Sequence, residues 1–240
     1  MSALTGVSAG PSAIAPARRI RMLPLAITAE DATTGCIAGI DSLGNWVRPQ
    51  PIPLAFARDP QGPFRYGRWT QITVRPQETA ARPEDMALVG DPEPGPALPP
   101  DELAALIRTH SSATVDEGFA EHRSAAIIPA RIDDLHARRH TRGRVFLRLV
   151  FRDASGERFD WILPEVATVA RFADARRGDG LDTARVSAWL DELAGADVHL
   201  AIGLTLASRP AGDRFKGCQP LVVGLHALPR ADRAQVPERP

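Results

Sequence analysis

Lysine is almost missing from this chain. Lys216 is the single lysine among 29 Lys and Arg in 240 residues, and every other basic residue is arginine. A coding bias that also enriches Ala, Pro and Gly accounts for this. It still leaves basic surface built from planar guanidinium forks, which pair with phosphate and stack on bases as an ammonium does not. Aromatic residues are scarce at 5%, so each of the four Trp carries more information than usual. Cysteine is scarcer still. Cys36 and Cys218 are too few and too widely spaced for a disulfide framework, and no C-x-x-C pair marks a zinc ribbon. Two reduced thiols are expected. An excess of either charge is also missing: 29 acidic residues balance 29 basic ones, for a net charge of +0. A neutral chain has no global field to draw it onto nucleic acid or a membrane, so such binding must come from a local patch. No apolar run approaches a membrane-spanning length. The first residues, "MSALTGVSAGPSAIAPARRIR", lack a basic start followed by a long apolar stretch, so no signal peptide is read and a cytoplasmic location is expected.

The familiar catalytic signatures are absent as well. There is no Walker-type loop, no G-x-G-x-x-G, no G-x-S-x-G elbow and no H-E-x-x-H. His136 and His140 are four apart, a helical metal-ligand spacing, but arginines fill the spacer and no third ligand is evident. His110 and His122 are isolated. No metal and no cofactor is read from this sequence.

What remains is a β-rich pattern. Residues 1–18 are small and Pro/Ser/Gly-rich, a disordered segment by composition. "RIRMLPLAIT", "GCIAGID" and "NWVRPQPI" read as three strands with a "SLGN" turn, and "RWTQITVRP" as a fourth. The stretch from Gln77 to Pro100 holds six prolines and reads as loop or extended chain. "DELAALIRTH" is a short helix capped by Asp101, and "SAAIIPARI" a strand closing the first half. "RGRVFLRLVFRD" and "ERFDWILPE" form a hairpin about "ASG", with "VATVARF" as a third strand. The helix "LDTARVSAWLDELAG" runs from a cap at Asp182 to Gly195, with Val186, Trp189, Leu190 and Leu193 on one face. "DVHLAIGLTLAS" and "QPLVVGLHAL" supply the last two strands. Three strands, a helix and two strands is the order of an OB-fold, a five-stranded Greek-key barrel. The first half fits the same order with its helix displaced late. "GCIAGID" and "GCQPLVVGLH" echo each other as Gly-Cys, apolar residues, Gly. The expectation is a mostly β protein of two OB-like barrels, at residues 19–142 and 143–228, with a tail at 229–240.

Four segments carry a likeness: "GCIAGI" followed by "GNWVRP", "RWTQITVRPQETAARPEDMAL", the hairpin from Arg144 to Trp161, and "LTLASRPAGDRFKGCQPLVVGLHAL". In these the chain resembles the dual-OB domain family, bacterial and archaeal proteins of two OB-like barrels. The likeness covers most of residues 19–228. It departs at "AEDATT", where the family carries a basic Ser-Arg-Lys stretch. The resemblance implies two barrels and a role in sensing nucleic acid or a ligand.

Among candidate site residues, Trp46 and Arg48 lie two apart on a strand and so share a face. On an OB surface that pairing stacks a base and holds its phosphate. The competing reading makes Trp46 a core plug and Arg48 the partner of a carboxylate. Arg138, Arg139, Arg142 and Arg144 cluster in "ARRHTRGRVFLR", either a phosphate-neutralising patch or a solvated loop balanced by Asp133 and Asp134. Arg209 and Lys216 complete the basic set, and Lys216 lies two residues before Cys218, where it can lower a thiol pKa. The "PED" at 83–85 reads as a turn. The function expected is non-catalytic binding or sensing of single-stranded nucleic acid or a nucleotide-like ligand. The alternatives are a small enzyme using Cys218 or a carboxylate in a cleft between the barrels, and an adaptor for a protein partner.

Overall fold

The computed structural model describes residues 15–77, 82–140, 144–177, 180–208, 212 and 214–230. Two large sheets carry the fold, which is mostly β. The first half comprises β1 (Arg18–Ala29), β2 (Thr34–Asp41), β3 (Trp46–Gln50), β4 (Ile52–Pro53), α1 (Leu54–Arg58), β5 (Arg68–Pro76), β6 (Asp85–Leu88) and β7 (Glu93–Ala97). The order β1-β2-β3-β6-β5 returns to β1, so five strands close into a barrel. β3 and β6 run parallel, and the other four neighbour pairs are antiparallel. That is the circuit of an OB-like Greek key. Closure depends on the length of β1. Its residues Arg18–Met22 pair with β5 and Met22–Ala29 pair with β2, with a bulge between Pro24 and Ala26 that bends the strand around the barrel.

The second half comprises α2 (Pro100–Thr109), α3 (Val115–Gly118), β8 (Ala125–Pro129), β9 (Arg131–Arg139), β10 (Val145–Arg152), β11 (Arg158–Ile162), α4 (Val166–Arg171), β12 (Arg176–Arg177), β13 (Gly180–Leu181), α5 (Thr183–Ala194), β14 (Asp197–Leu204) and β15 (Pro220–Leu228). Its sheet runs β8-β14-β15-β11-β10-β9, with β11 and β15 parallel. β8 and β9 are one strand interrupted at Ala130, whose N–H still donates to the Val198 carbonyl at 2.9 Å. The two edges of this sheet are therefore the two halves of one strand, and the sheet closes as the first one does. Helix α5 behaves as its sequence dictates. Asp182 accepts from the N–H groups of Ala184 and Arg185, and Val186, Trp189 and Leu193 are buried in the barrel core with Phe151, Phe172 and Leu200.

Several expectations are corrected. "VATVARF" is helical, because the Glu165 carboxylate caps the N–H groups of Ala167 and Thr168 and starts a turn there. The missing strand is β9, whose charged, half-exposed residues hide its alternation. The division expected at 142/143 falls inside the β9–β10 hairpin, and the second sheet already begins at Ala125. The proline-rich stretch yields two strands. β6 contains no proline and sits inside the barrel circuit, whereas β7, with Pro94 and Pro96, pairs only with β5 at the edge. The first barrel has its helix, α1, between β3 and β5, the third and fourth strands of the closed circuit. The later helix starts at Pro100, with Asp101 in its first turn rather than at the cap.

Between the barrels lies a shared apolar layer. Leu23, Leu25, Ala38 and Ile40 of the first barrel pack with Ile127, Ala201 and Leu228 of the second, and α2 adds Ala104 and Ile107. Burying each such Leu or Ile contributes about 1.5–3 kcal/mol. The approach is close because position 224 is glycine: a Cβ there would stand 2.0 Å from the Leu25 carbonyl oxygen. Nε2–H of His226, two residues on, donates to that same oxygen at 2.8 Å. The corresponding glycine of the echoing segment, Gly39, lies against the neighbouring Leu23 carbonyl, also at 2.0 Å for a Cβ. Both glycines of the repeated pattern thus serve the crowding around β1.

Candidate functional site

Trp46 and Arg48 do share a face of β3, but that face is turned to the second barrel. Trp46 is half-buried against the shared apolar layer. Arg48 is 4% exposed. Its Nε donates to Asp85 Oδ1 at 2.6 Å, and its Nη2 donates to Glu84 Oε1 at 2.6 Å and to Ser124 Oγ at 3.1 Å. The Ser124 hydroxyl in turn donates to Glu84. Glu84 and Asp85 belong to the first barrel, and Ser124 opens the second. Arg82 extends the network outward, with Nε on Asp85 Oδ2 at 3.4 Å and Nη1 on the Leu204 carbonyl of β14 at 3.0 Å. The rim reading of Arg48 is overturned: the guanidinium is an internal tie between barrels. Its partners lie in the "PED" segment that reads from sequence as a bare turn. β3 continues past Arg48 through Pro49 to Gln50 alongside β6.

The other predicted arginines sit elsewhere. Arg138 and Arg139 end β9, and Arg144 precedes β10, so they gather at the tip of this hairpin and are exposed. Arg142 lies outside the described residues, as does Arg209. The backbone register sets the tip's chemistry. Arg138 pairs across the ladder with Phe146, on the outward row that also carries Arg148 and Arg152. The Arg144 guanidinium lies 5.6 Å from the Phe146 ring centroid, and the His140 ring meets it edge-on at 6.1 Å. Further along, the row is neutralised: Arg148 is bonded to Asp160 at 2.8 Å and Arg152 to Asp133 at 2.9 Å. At the tip, Arg138 and Arg144 flank one half-buried phenyl ring. Phe146 is the residue sequence reasoning passed over. Its place on the row of Arg148 and Arg152, opposite Leu147, Leu149 and Phe151, is the signal that places it outward.

Lys216 and Cys218 line a separate cleft at the barrel junction, with Arg82, Arg123 and Ser124. Both cysteines are free thiols, as expected. Burial pushes the Cys36 thiol up, the reverse of activation. His136 and His140 lie on and just beyond a strand, so their spacing is not helical, and no metal-binding group of three or more His, Cys, Asp or Glu occurs among the described residues. A Ser-His-Asp sequence of contacts does occur: Ser111 Oγ is 2.8 Å from His199 Nδ1, and His199 Nε2 is 3.6 Å from Asp197. The Ser111 hydroxyl donates to the Ile107 carbonyl at 2.7 Å, so it accepts from the imidazole and is not a nucleophile facing a base. With Arg108 on Asp197 at 2.9 Å, this group ties α2 to β14. No described helix is long and apolar enough to cross a membrane.

Comparison with protein-family models and with the curated proteins finds no match to this chain.

Proposed function

We propose that the protein is a non-catalytic binding module for single-stranded nucleic acid or a nucleotide-like ligand, which it meets with the tip of the β9–β10 hairpin. One observation carries this reading: the Phe146 ring is set among Arg138, Arg144 and His140 on the outer surface of an OB-like barrel. A phenyl face offers sequence-tolerant stacking to a base, and flanking guanidinium groups neutralise phosphates. OB architecture alone would not assign a function. Membership in the dual-OB family is part of the same proposal. It is supported by the contact of two segments on which the resemblance rests, since Arg48 of "NWVRP" is bonded to the Glu and Asp of "PED".

The test is a fluorescence-anisotropy titration of a labelled oligothymidylate at low and at physiological salt. Binding that weakens with salt and is lost on Arg138→Ala/Arg144→Ala supports the proposal. Absence of binding at low salt sinks it. The second reading, a small enzyme working in the junction cleft, is favoured by one fact, the position of Cys218 in that lining.

A further inference from the structure

The junction cleft has a volume of about 260 Å³ and is bounded on one side by Arg82 and Pro83 of the first barrel. The second barrel supplies the rest, including Arg123, Arg214 and Lys216, and no Asp or Glu lines it among the described residues. Phe119 and Phe215 give it an apolar wall. Their rings meet edge-on at 5.9 Å, and both rest on Trp161.

The four cations are not equivalent. Arg214 is committed to Asp116 at 2.7 Å and Glu157 at 2.5 Å, and Arg82 to Asp85. Arg123 donates to the carbonyl oxygens of Ala120 at 3.2 Å and Glu117 at 2.9 Å. The Lys216 amine faces Nδ1 of His122 at 3.4 Å. Among the described residues neither Arg123 nor Lys216 meets a carboxylate, which sets these two cations apart from Arg82 and Arg214.

The backbone singles out the same place. Among the described residues, the non-glycine positions with left-handed backbone are Glu121 (φ 55°), His122 (φ 63°) and Lys216 (φ 51°). All three stand on the two segments that bring Arg123 and Lys216 together across the cleft. Such strain persists where surrounding structure enforces it, and it gathers at ligand sites.

We propose that this cleft binds a phosphate monoester carrying a flat heteroaromatic ring, the class of nucleoside monophosphates. The dianionic phosphate is taken by Arg123 and Lys216, whose two charges match it, and the ring lies against Phe119 and Phe215. The site is separate from the hairpin tip. Because Arg82 closes it from the first barrel, the ligand touches both barrels, and its binding raises the stability of the whole fold.

The experiment titrates adenosine 5′-monophosphate by calorimetry and by thermal melting, alongside ribose 5-phosphate, adenosine and inorganic phosphate. The expected result is saturable binding of the nucleotide with a rise in Tm, and at least tenfold weaker binding of each fragment. Arg123→Gln and Lys216→Gly should each weaken nucleotide binding at least tenfold while leaving the ligand-free Tm close to the parent value. Glycine at 216 suits the left-handed backbone, so that variant keeps its fold. The proposal is overturned by absence of nucleotide binding at millimolar concentration, by ribose 5-phosphate binding as tightly as the nucleotide, or by unchanged affinity in both cleft variants. Loss of nucleotide binding in Arg144→Ala would overturn it too, by moving the ligand to the hairpin.

Discussion

The Arg48 guanidinium and the Glu84 carboxylate meet at 2.6 Å, each side chain only 5% exposed. This pair, with Asp85 and Ser124, spans the two barrels, and it reverses what a surface arginine would do on mutation. Arg48→Ala leaves the Glu84 carboxylate buried without its cation and Asp85 with only the longer contact to Arg82, which costs about 3–5 kcal/mol. Glu84→Gln keeps an acceptor oxygen for Arg48 and Ser124 and costs less. Denaturant unfolding followed by Trp fluorescence measures both. An Arg48→Ala variant as stable as the parent would show that the network contributes nothing.

Gly224→Ala is a test of barrel docking. The new methyl meets the Leu25 carbonyl at 2.0 Å and the Ala201 side chain at 3.0 Å, so β15 must retreat from β1. A loss of about 1–3 kcal/mol is expected from overpacking. Gly212→Ala, which meets nothing within 4 Å among the described residues, should stay near the parent in the same melt.

Acid should loosen the same junction. Burial holds the His226 imidazole down to about 4 from an ordinary value near 6.5. The unfolded chain therefore takes up a proton between those two values while the folded chain does not, and stability falls as pH drops from about 6.5 towards about 4. The full shift corresponds to roughly 3 kcal/mol at most. His199, also depressed by burial and paired with His226 across the ladder, acts in the same direction. In unfolding curves at a series of pH values, His226→Gln should flatten the slope. An equal slope in parent and variant would assign the acid sensitivity to other groups.

At the hairpin tip, Arg144→Ala should lower the salt dependence of oligothymidylate binding by about 0.7 in the log–log slope, one single-strand phosphate contact. Phe146→Ala should remove roughly 1–3 kcal/mol of stacking per base with little change in that slope. Anisotropy titrations across a salt series separate the two effects. A slope change with Phe146→Ala and none with Arg144→Ala would contradict the assignment.

The thiols give a further check. Without reductant, the unfolded protein should react two thiols per chain with a thiol reagent, because both cysteines are free. Cys36→Ser and Cys218→Ser should fold and bind oligonucleotide as the parent does. A measured turnover abolished by Cys218→Ala, with the fold intact, would instead favour the enzyme reading.

The β10–β11 hairpin was legible because Val145, Leu147, Leu149 and Phe151 recur at every second position before a turn, and α5 because Asp182 caps it. β9 was not, since its sequence RIDDLHARR places charges on both faces of a strand that is mostly at the surface. Trp46 and Arg48 were correctly assigned to one face, yet a strand pattern cannot say whether water or a second barrel covers it. The decisive partners, Glu84 and Ser124, lie 36 and 76 positions downstream of Arg48. Phe146 was visible in the alternation. Arg123 and Phe119 were not, because they stand in a short irregular segment with no period, and only the return of the 214–218 loop gives them a common space.

The contact between His226 and Leu25 joins positions 201 residues apart. The first barrel therefore makes part of its junction contact with the last strand of the second, which leaves the ribosome late. Until then the Leu25 carbonyl lacks its partner His226, and the layer around Leu23, Leu25 and Ile40 lacks Leu228. Cutting the chain between the barrels would leave each half with an uncovered apolar side and an incomplete ion-pair network. The two barrels are alike in circuit, but they are not transplantable modules: either one, expressed alone, would lack the surface that completes it.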